Sequence, residues 1–209
     1  MKTKTFIMVS GLLLLTSYRL YSQEFKFGFL VGIDIAKSYL TDLPDNSAAS
    51  EYYPMISYNL NGYIAYKTAG IFGISAEPGF IQKGFIQKYE GSNLRFQLNY
   101  LQMPVFADIH ITNKIFLSVG PEFAYLLNAK IKPANDKGDK IDLYDKRKFE
   151  ISAIAGLNYE ITNKFDVGLR YSRGLTYTVE LNYTDANGHL VANPKEFNQY
   201  FQLIVRYKI

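Results

Sequence analysis

The chain has 209 residues, of which 16% are aromatic, with 18 Tyr and 15 Phe but no Trp, and its mean hydropathy is near zero at −0.09. Soluble domains rarely carry so much Tyr and Phe without long apolar helices to bury it. The net charge is only +4 and its lysines are scattered, so no nucleic-acid partner is expected; the absence of cysteine excludes disulfides and a lipid-anchored cysteine.

In chain order, Lys2 and Lys4 precede FIMVSGLLLLT, an apolar run of roughly a dozen residues, the length of a secretory core region. A membrane-spanning helix needs about 20, and Arg19 closes the run too early. Ser22 before Gln23 offers a small-residue cleavage point. Residues 1–22 are therefore expected to be an export signal, and residues 23–209 one mature domain.

From residue 25 the apolar pattern has period two. Phe25, Phe27, Phe29, Val31, Ile33 and Ile35 share one parity, and Lys26, Gly28, Gly32 and Asp34 the other. A helix would scatter both sets, whereas a strand sorts them onto two faces. Seven further segments follow, giving strands over 25–37, 56–67, 70–81, 94–109, 115–128, 148–160, 165–177 and 197–209. In the fourth the apolar parity changes near Tyr100–Leu101, which predicts a bulge or kink by Pro104. In the fifth, Ile115, Leu117, Val119, Phe123, Tyr125 and Leu127 oppose Ser118, Gly120, Glu122 and Asn128; in the seventh, Phe165, Val167, Leu169 and Tyr171 oppose Asp166, Gly168, Arg170 and Ser172. Most segments exceed the typical soluble strand of about 5–6 residues and are long enough to cross a bilayer when tilted.

The connectors alternate in length. KTAG and two copies of ITNK, at Ile111–Lys114 and Ile161–Lys164, are tight, whereas 38–55, 82–93, 129–147 and 178–196 are long and polar. This is the form of an eight-stranded antiparallel transmembrane β-barrel, an all-β fold with short periplasmic turns and long outer loops. The rival is a soluble barrel with the same alternation turned inward. Its water-facing parity is usually rich in Lys and Glu, whereas here the second parity is mostly Gly, Ser, Ala and Asn with isolated charges, which suits the lumen of a small barrel. Phe25, Tyr66, Phe149, Tyr159, Phe165, Tyr177 and Tyr207 suit interfacial girdles near strand ends.

The motifs LNYLQMPVFADI, LSVGPEFAYLLNAKI, FEISAIAGLNYEI and VGLRYSRGLT resemble successive strands of the PorT-like outer-membrane β-barrel family common among Bacteroidetes. The likeness spans nearly the whole mature chain. It implies an outer-membrane location, with outer-membrane lipid and the barrel-insertion machinery as partners, and it carries no secretion role over to this chain. One departure is the ending on Ile209, with Tyr207 two positions before it, where such chains usually end on an aromatic residue.

Parity sends Asp34, Glu77, Glu122, Glu150, Glu160, Arg170 and Arg206 into the lumen, where a charge avoids lipid and can be paired. Glu77 and Glu122 are the candidate partners of Arg170. A plug of salt bridges is expected there, and a narrow polar path for solutes is the alternative. Catalysis has little support. His110 sits beside a short turn, and His189 lies in DANGHL with Asp185, which reads mainly as turn chemistry. No Ser stands in a recognisable nucleophile motif. Two distant histidines do not make a zinc site, and DKGDKIDLYD lacks the spacing of a calcium loop, so neither metal nor cofactor is expected. The function expected is structural or binding, through loops 38–55, 82–93, 129–147 and 178–196, with a lipid-modifying enzyme or a narrow channel as alternatives.

Overall fold

The computed structural model describes residues 24–42, 52–68, 70–89, 92–133, 139–140, 144, 147–184 and 188–209; the expected export signal lies outside them, as does Asp185. Eight strands form the frame: β1 (Glu24–Thr41), β2 (Met55–Lys67), β3 (in two pieces, Phe72–Ala76 and Gly79–Tyr89), β4 (Ser92–His110), β5 (Ile115–Pro133), β6 (Phe149–Glu160), β7 (Phe165–Gly174) and β8 (Lys195–Lys208). Every strand pairs antiparallel with its chain neighbour, and β1 pairs with β8. The sheet is thus closed and leaves no barrel edge, as a membrane requires.

Register fixes the shape. Paired residues lead from Asp34 through Gln202, Arg170, Gly156, Ser118, Asp108, Gly73 and Lys67 back to β1 at Glu24, an offset of ten residues. Eight strands with that stagger tilt by about 40° and enclose a radius of about 8 Å, room for side chains and little else.

The alternation is sorted in the membrane sense. Leu169 is 64% exposed and its neighbour Arg170 3%; Ile33 is 60% exposed and Asp34 fully buried. A soluble barrel would reverse these values. The exposed apolar band climbs from Phe25 to Ile35 on β1, about 25 Å at this tilt, the height of an outer-membrane belt. Phe25 packs on Tyr66 at 4.9 Å and Phe165 on Tyr207 at 5.0 Å at its lower rim.

The three short turns share one device. In the first ITNK, Thr112 Oγ1 accepts from the N–H groups of Lys114 and Ile115 at 3.1 and 3.0 Å. In the second, Thr162 accepts from Lys164 and Phe165 at 3.2 and 3.1 Å. In KTAG, the N–H of Gly70 donates to Thr68 Oγ1 at 3.3 Å. The recurring Thr therefore replaces backbone partners that the turn cannot supply.

At the opposite end the strands run farther than the polar composition suggests. Residues 82–93 are not a long loop, because β3 reaches Tyr89 and β4 starts at Ser92, with Tyr89 opposite Ser92. Residues 38–41 continue β1, 129–133 continue β5, and Lys195 and Glu196 begin β8. Above the apolar band a strand's outer face meets water, so polar residues there are compatible with continued pairing. The seventh strand ends earlier than the apolar parity suggests, at Gly174; Val179–Glu180 then pairs with β8. The third strand is interrupted at Glu77–Pro78, where Glu77 N–H still reaches Pro104 O at 3.0 Å. The parity change in β4 is a register shift between Asn99 and Tyr100, opposite Leu126 and Asn128, while the ladder to β5 skips Val105 and Phe106 just after the Pro104–Glu122 pair and resumes in the same register at Ala107–Val119. Gly84, at φ 138°, could not carry a side chain: a Cβ there would lie 2.0 Å from Phe96 O.

Candidate functional site

The lumen holds the concentrated chemistry of the described residues. Among them, seven buried carboxylates (Asp34, Glu77, Asp108, Glu122, Glu150, Asp166 and Glu196) face four buried cations, Lys83, Arg170, Arg206 and Lys208. Ion pairing alone therefore cannot satisfy every acid, and the structure divides them by level.

Glu77 sits where β3 breaks, near mid-height of the apolar band. It receives a two-pronged contact from Arg170, with Nη1–Oε2 at 2.5 Å and Nη2–Oε1 at 2.8 Å. Arg206 Nη2 adds a third bond at 2.7 Å. Arg206 Nη1 continues to Asp166 Oδ1 at 2.8 Å, and Lys208 joins Asp166 and Glu160 at 3.3 and 3.1 Å. The planar guanidinium fork matches a carboxylate in two places at once, which an ammonium cannot do. Small residues make the room: a Cβ on Gly156 would lie 2.5 Å from Arg170 Cγ.

A second cluster lies nearer the extracellular side. Lys83 Nζ contacts Glu122 Oε1 at 2.7 Å and Glu150 Oε1 at 2.9 Å, with the rings of Tyr100 and Tyr200 at 5.0 and 5.4 Å. Tyr200 OH donates to Glu122, and Asn198 Nδ2 to Glu150 Oε2 at 2.8 Å. Asp34 has amide donors instead of a cation: Asn59 Nδ2 reaches both its oxygens, at 3.0 and 3.1 Å. Asp108 is held by Ser118 Oγ at 2.5 Å.

From the level of Ile154 and Ile81 upward, apolar side chains pack around and above the Lys83 cluster. Ile81, Leu98, Tyr100, Leu126, Ile154, Tyr144 and Val179 belong to one packed cluster. Glu196 lies at its upper edge, five residues beyond Phe201 on β8 and outside the membrane-spanning part. Tyr144 OH donates to it at 3.1 and 3.2 Å, Thr178 Oγ1 at 3.4 Å and Tyr52 OH at 3.5 Å. These donors come from three different outer connections, so one carboxyl gathers them. Burial pushes that carboxyl up to about 7 against the pull of its hydroxyl donors.

Of the sequence-expected residues, Glu77, Arg170 and Arg206 come together directly. Glu122 pairs with Lys83 instead of Arg170, and Glu150 joins that second cluster. Asp34 stands on its own amide, and Glu160 lies at the periplasmic mouth with Lys208. Sequence reasoning omitted Lys83, Asp108, Asp166, Glu196 and Lys208. Asp166 and Lys208 lie within the expected strands on the parity of Arg170 and Arg206, so parity alone would have found them, and Lys83, on the parity of Glu77, needed only the third strand extended beyond residue 81. His110 packs on Phe116 at 5.1 Å near the periplasmic mouth, while His189 is exposed at the other end. Among the described residues no group of three or more His, Cys, Asp or Glu side chains could hold a metal ion, and no helix is long and apolar enough to cross a membrane.

Among curated proteins none matches the chain. Among solved structures, it is similar to the attachment invasion locus protein Ail of Yersinia pestis, in complex with the heparin analogue sucrose octasulfate. The identity is 11% and the TM-score 0.49, covering 89% of this chain and 99% of that one. Neisserial surface protein A is 14% identical with a TM-score of 0.45, covering 87% and 97%. OprG of Pseudomonas aeruginosa is 10% identical with a TM-score of 0.40, covering 90% and 96%. The sequence also matches the family described as outer membrane protein beta-barrel domain over residues 21–180, from before β1 into the β7–β8 connection. With a closed ring of eight strands, an apolar exterior and a charged interior, the chain belongs to that family of outer-membrane β-barrels.

Proposed function

We propose that the protein is a non-conducting outer-membrane barrel with a structural or binding role, exerted through the extracellular strand ends and the loops that join them. The observation that carries this reading is the filled lumen. The ion clusters around Glu77 and Lys83 are capped by the apolar cluster of Leu98, Leu126, Tyr144 and Val179. An ion entering would have to displace paired charges and then cross packed apolar side chains, both costly steps.

The same reading includes export by residues 1–22, insertion by the barrel-assembly machinery, and membership of the PorT-like, Bacteroidetes-type branch. The short Thr turns and both strand termini then face the periplasm. It includes no catalysis. In support, His110 and His189 lie near opposite ends of the barrel, and His189 is exposed. The partner is a surface molecule or protein reached by the connections after β1, β3, β5 and β7.

Two measurements test the proposal. In planar bilayers the purified protein should give no unit conductance, and a reproducible channel current would overturn the sealed lumen. Crosslinking in native outer membranes followed by affinity capture should recover a partner joined at the extracellular side. Crosslinks confined to the periplasmic turns would refute the assignment of the binding face.

A further inference from the structure

The outer surface of β7, β8 and β1 departs from a uniform apolar belt. Two outward-facing rows cross these strands, Leu169–Leu203–Ile33 and, above it, Tyr171–Phe201–Ile35. Together with Ala155 on β6 they line a concave apolar depression. The depression exists because Ala155, opposite Tyr171, is too short to fill the space beside the larger side chains. The next outward row, on the extracellular side, is Arg173–Gln199–Lys37. A cationic, hydrogen-bonding row thus caps an apolar hollow at the upper rim of the membrane belt.

That row is organised. Arg173 Nε donates to Tyr39 OH at 3.2 Å, and its guanidinium lies 5.1 Å from the Tyr39 ring centroid. Tyr39 OH donates to Gly174 O at 3.4 Å, and its ring stacks on Phe197 at 5.4 Å. Tyr171 OH donates to Gln199 Oε1 at 3.1 Å, fixing the middle of the row. Among the described residues no carboxylate pairs with Arg173 or Lys37. Two cations with no carboxylate partner among the described residues, beside a hollow that faces hydrocarbon, are complementary to a molecule with a phosphate at one end and an acyl chain at the other.

We infer that this face binds a phosphorylated, acylated lipid of the outer leaflet, with the phosphate on Arg173 and Lys37 and one acyl chain in the depression below. The inference rests on the outer-membrane orientation proposed above, which places this rim in the outer leaflet. It does not require the loops to bind anything. A second outward pair of cations lacks the arrangement. Arg95 and Lys132 also oppose each other, but the row toward the membrane from them is Gln97 and Lys130, so no apolar hollow adjoins them.

The test uses full-length protein refolded in detergent, with folding confirmed by heat-modifiable migration. Native mass spectrometry then reads binding of diphosphorylated lipid A and of the same lipid stripped of phosphate. Wild type should hold one phosphorylated lipid. Lys37→Ala with Arg173→Ala should weaken it about tenfold, while Arg95→Ala with Lys132→Ala should leave it unchanged. Ala155→Phe, which fills the hollow and keeps both cations, should also weaken it. Equal binding by wild type and the Lys37/Arg173 variant, or of the lipid with and without phosphate, would overturn the inference. So would an equal loss in the Arg95/Lys132 variant, which would mean diffuse attraction. A wild-type chain that folds as a soluble monomer without detergent would instead refute the membrane barrel itself.

Discussion

The two buried charge clusters occupy the same lumen and meet the same problem with different parts. Around Glu77 the partners are two arginines from β7 and β8, joined through Asp166 to Lys208, and nearly every bond is between formal charges. Around Lys83 a single ammonium is shared by Glu122 and Glu150, and neutral donors finish the work: Tyr200 for one acid, Asn198 and Ser152 for the other. The first arrangement is rigid and charge-complete, so removing one member strands the rest. The second is buffered, because its acids keep partners when the cation is lost. The contrast teaches that buried charges of equal burial can differ in how much structure depends on them.

The largest expected effect breaks the first cluster. Glu77→Gln leaves Arg170 without a counter-charge and Arg206 with Asp166 alone, and should cost about 3–5 kcal/mol, read by urea unfolding in lipid vesicles. Next, moving a charge by one position from lumen to lipid asks whether the two faces differ as sharply as the clusters do. Leu169→Arg should cost about 2–4 kcal/mol near the midplane by the same assay; an unchanged midpoint would place Leu169 away from hydrocarbon. Lys83→Met should cost less, about 1–3 kcal/mol, because Glu122 and Glu150 retain neutral donors. A loss as large as that of Glu77→Gln would erase the distinction between the two clusters.

The smallest effect concerns the third kind of acid, Glu196, which is gathered by hydroxyls. Its folded value of about 7 lies above its ordinary value of 4.5, so the folded state holds the proton more tightly. The stabilisation is complete below 4.5 and is lost as pH rises from there to about 7. Amide exchange at Tyr144 and Thr178, corrected for intrinsic rates, should therefore quicken as pH is raised from about 4.5 to about 7 and level off above it. Glu196→Gln should flatten that dependence, and a profile identical to wild type would remove Glu196 as its source.

The sequence was most informative where a strand has lipid on one side. Along Phe25–Ile35, Phe165–Tyr171 and Phe201–Tyr207 every second residue is apolar and faces outward, so the period alone sorts Leu169 from Arg170. It was least informative above the belt, where water bathes the outer face and the run QKGFIQKYEGSN carries no apolar parity even though it is almost wholly strand. Parity also tells which way a charge points but not what it meets. Facing partners across a barrel depend on the accumulated stagger of all eight registers. The ten-residue offset brings Arg206 level with Glu77 and lifts Lys83 to Glu122, and a single misjudged strand length, such as an end at residue 81, hides Lys83 altogether.

The pairing of β8 with β1 has a consequence for assembly. Of the eight strands β8 leaves the ribosome after the other seven, and it carries Arg206 and Lys208, two of the four buried cations among the described residues. The bond from Arg206 to Glu77 joins residues 129 positions apart. Until β8 docks, Glu77 has only Arg170 and Asp166 has neither of its cations, while β1 and β7 each offer an unpaired edge. Hydrocarbon penalises all of these defects together. The chain therefore carries its own proofreading: an incomplete ring is excluded from lipid by charge as well as by backbone, and one strand cancels both debts in the same event.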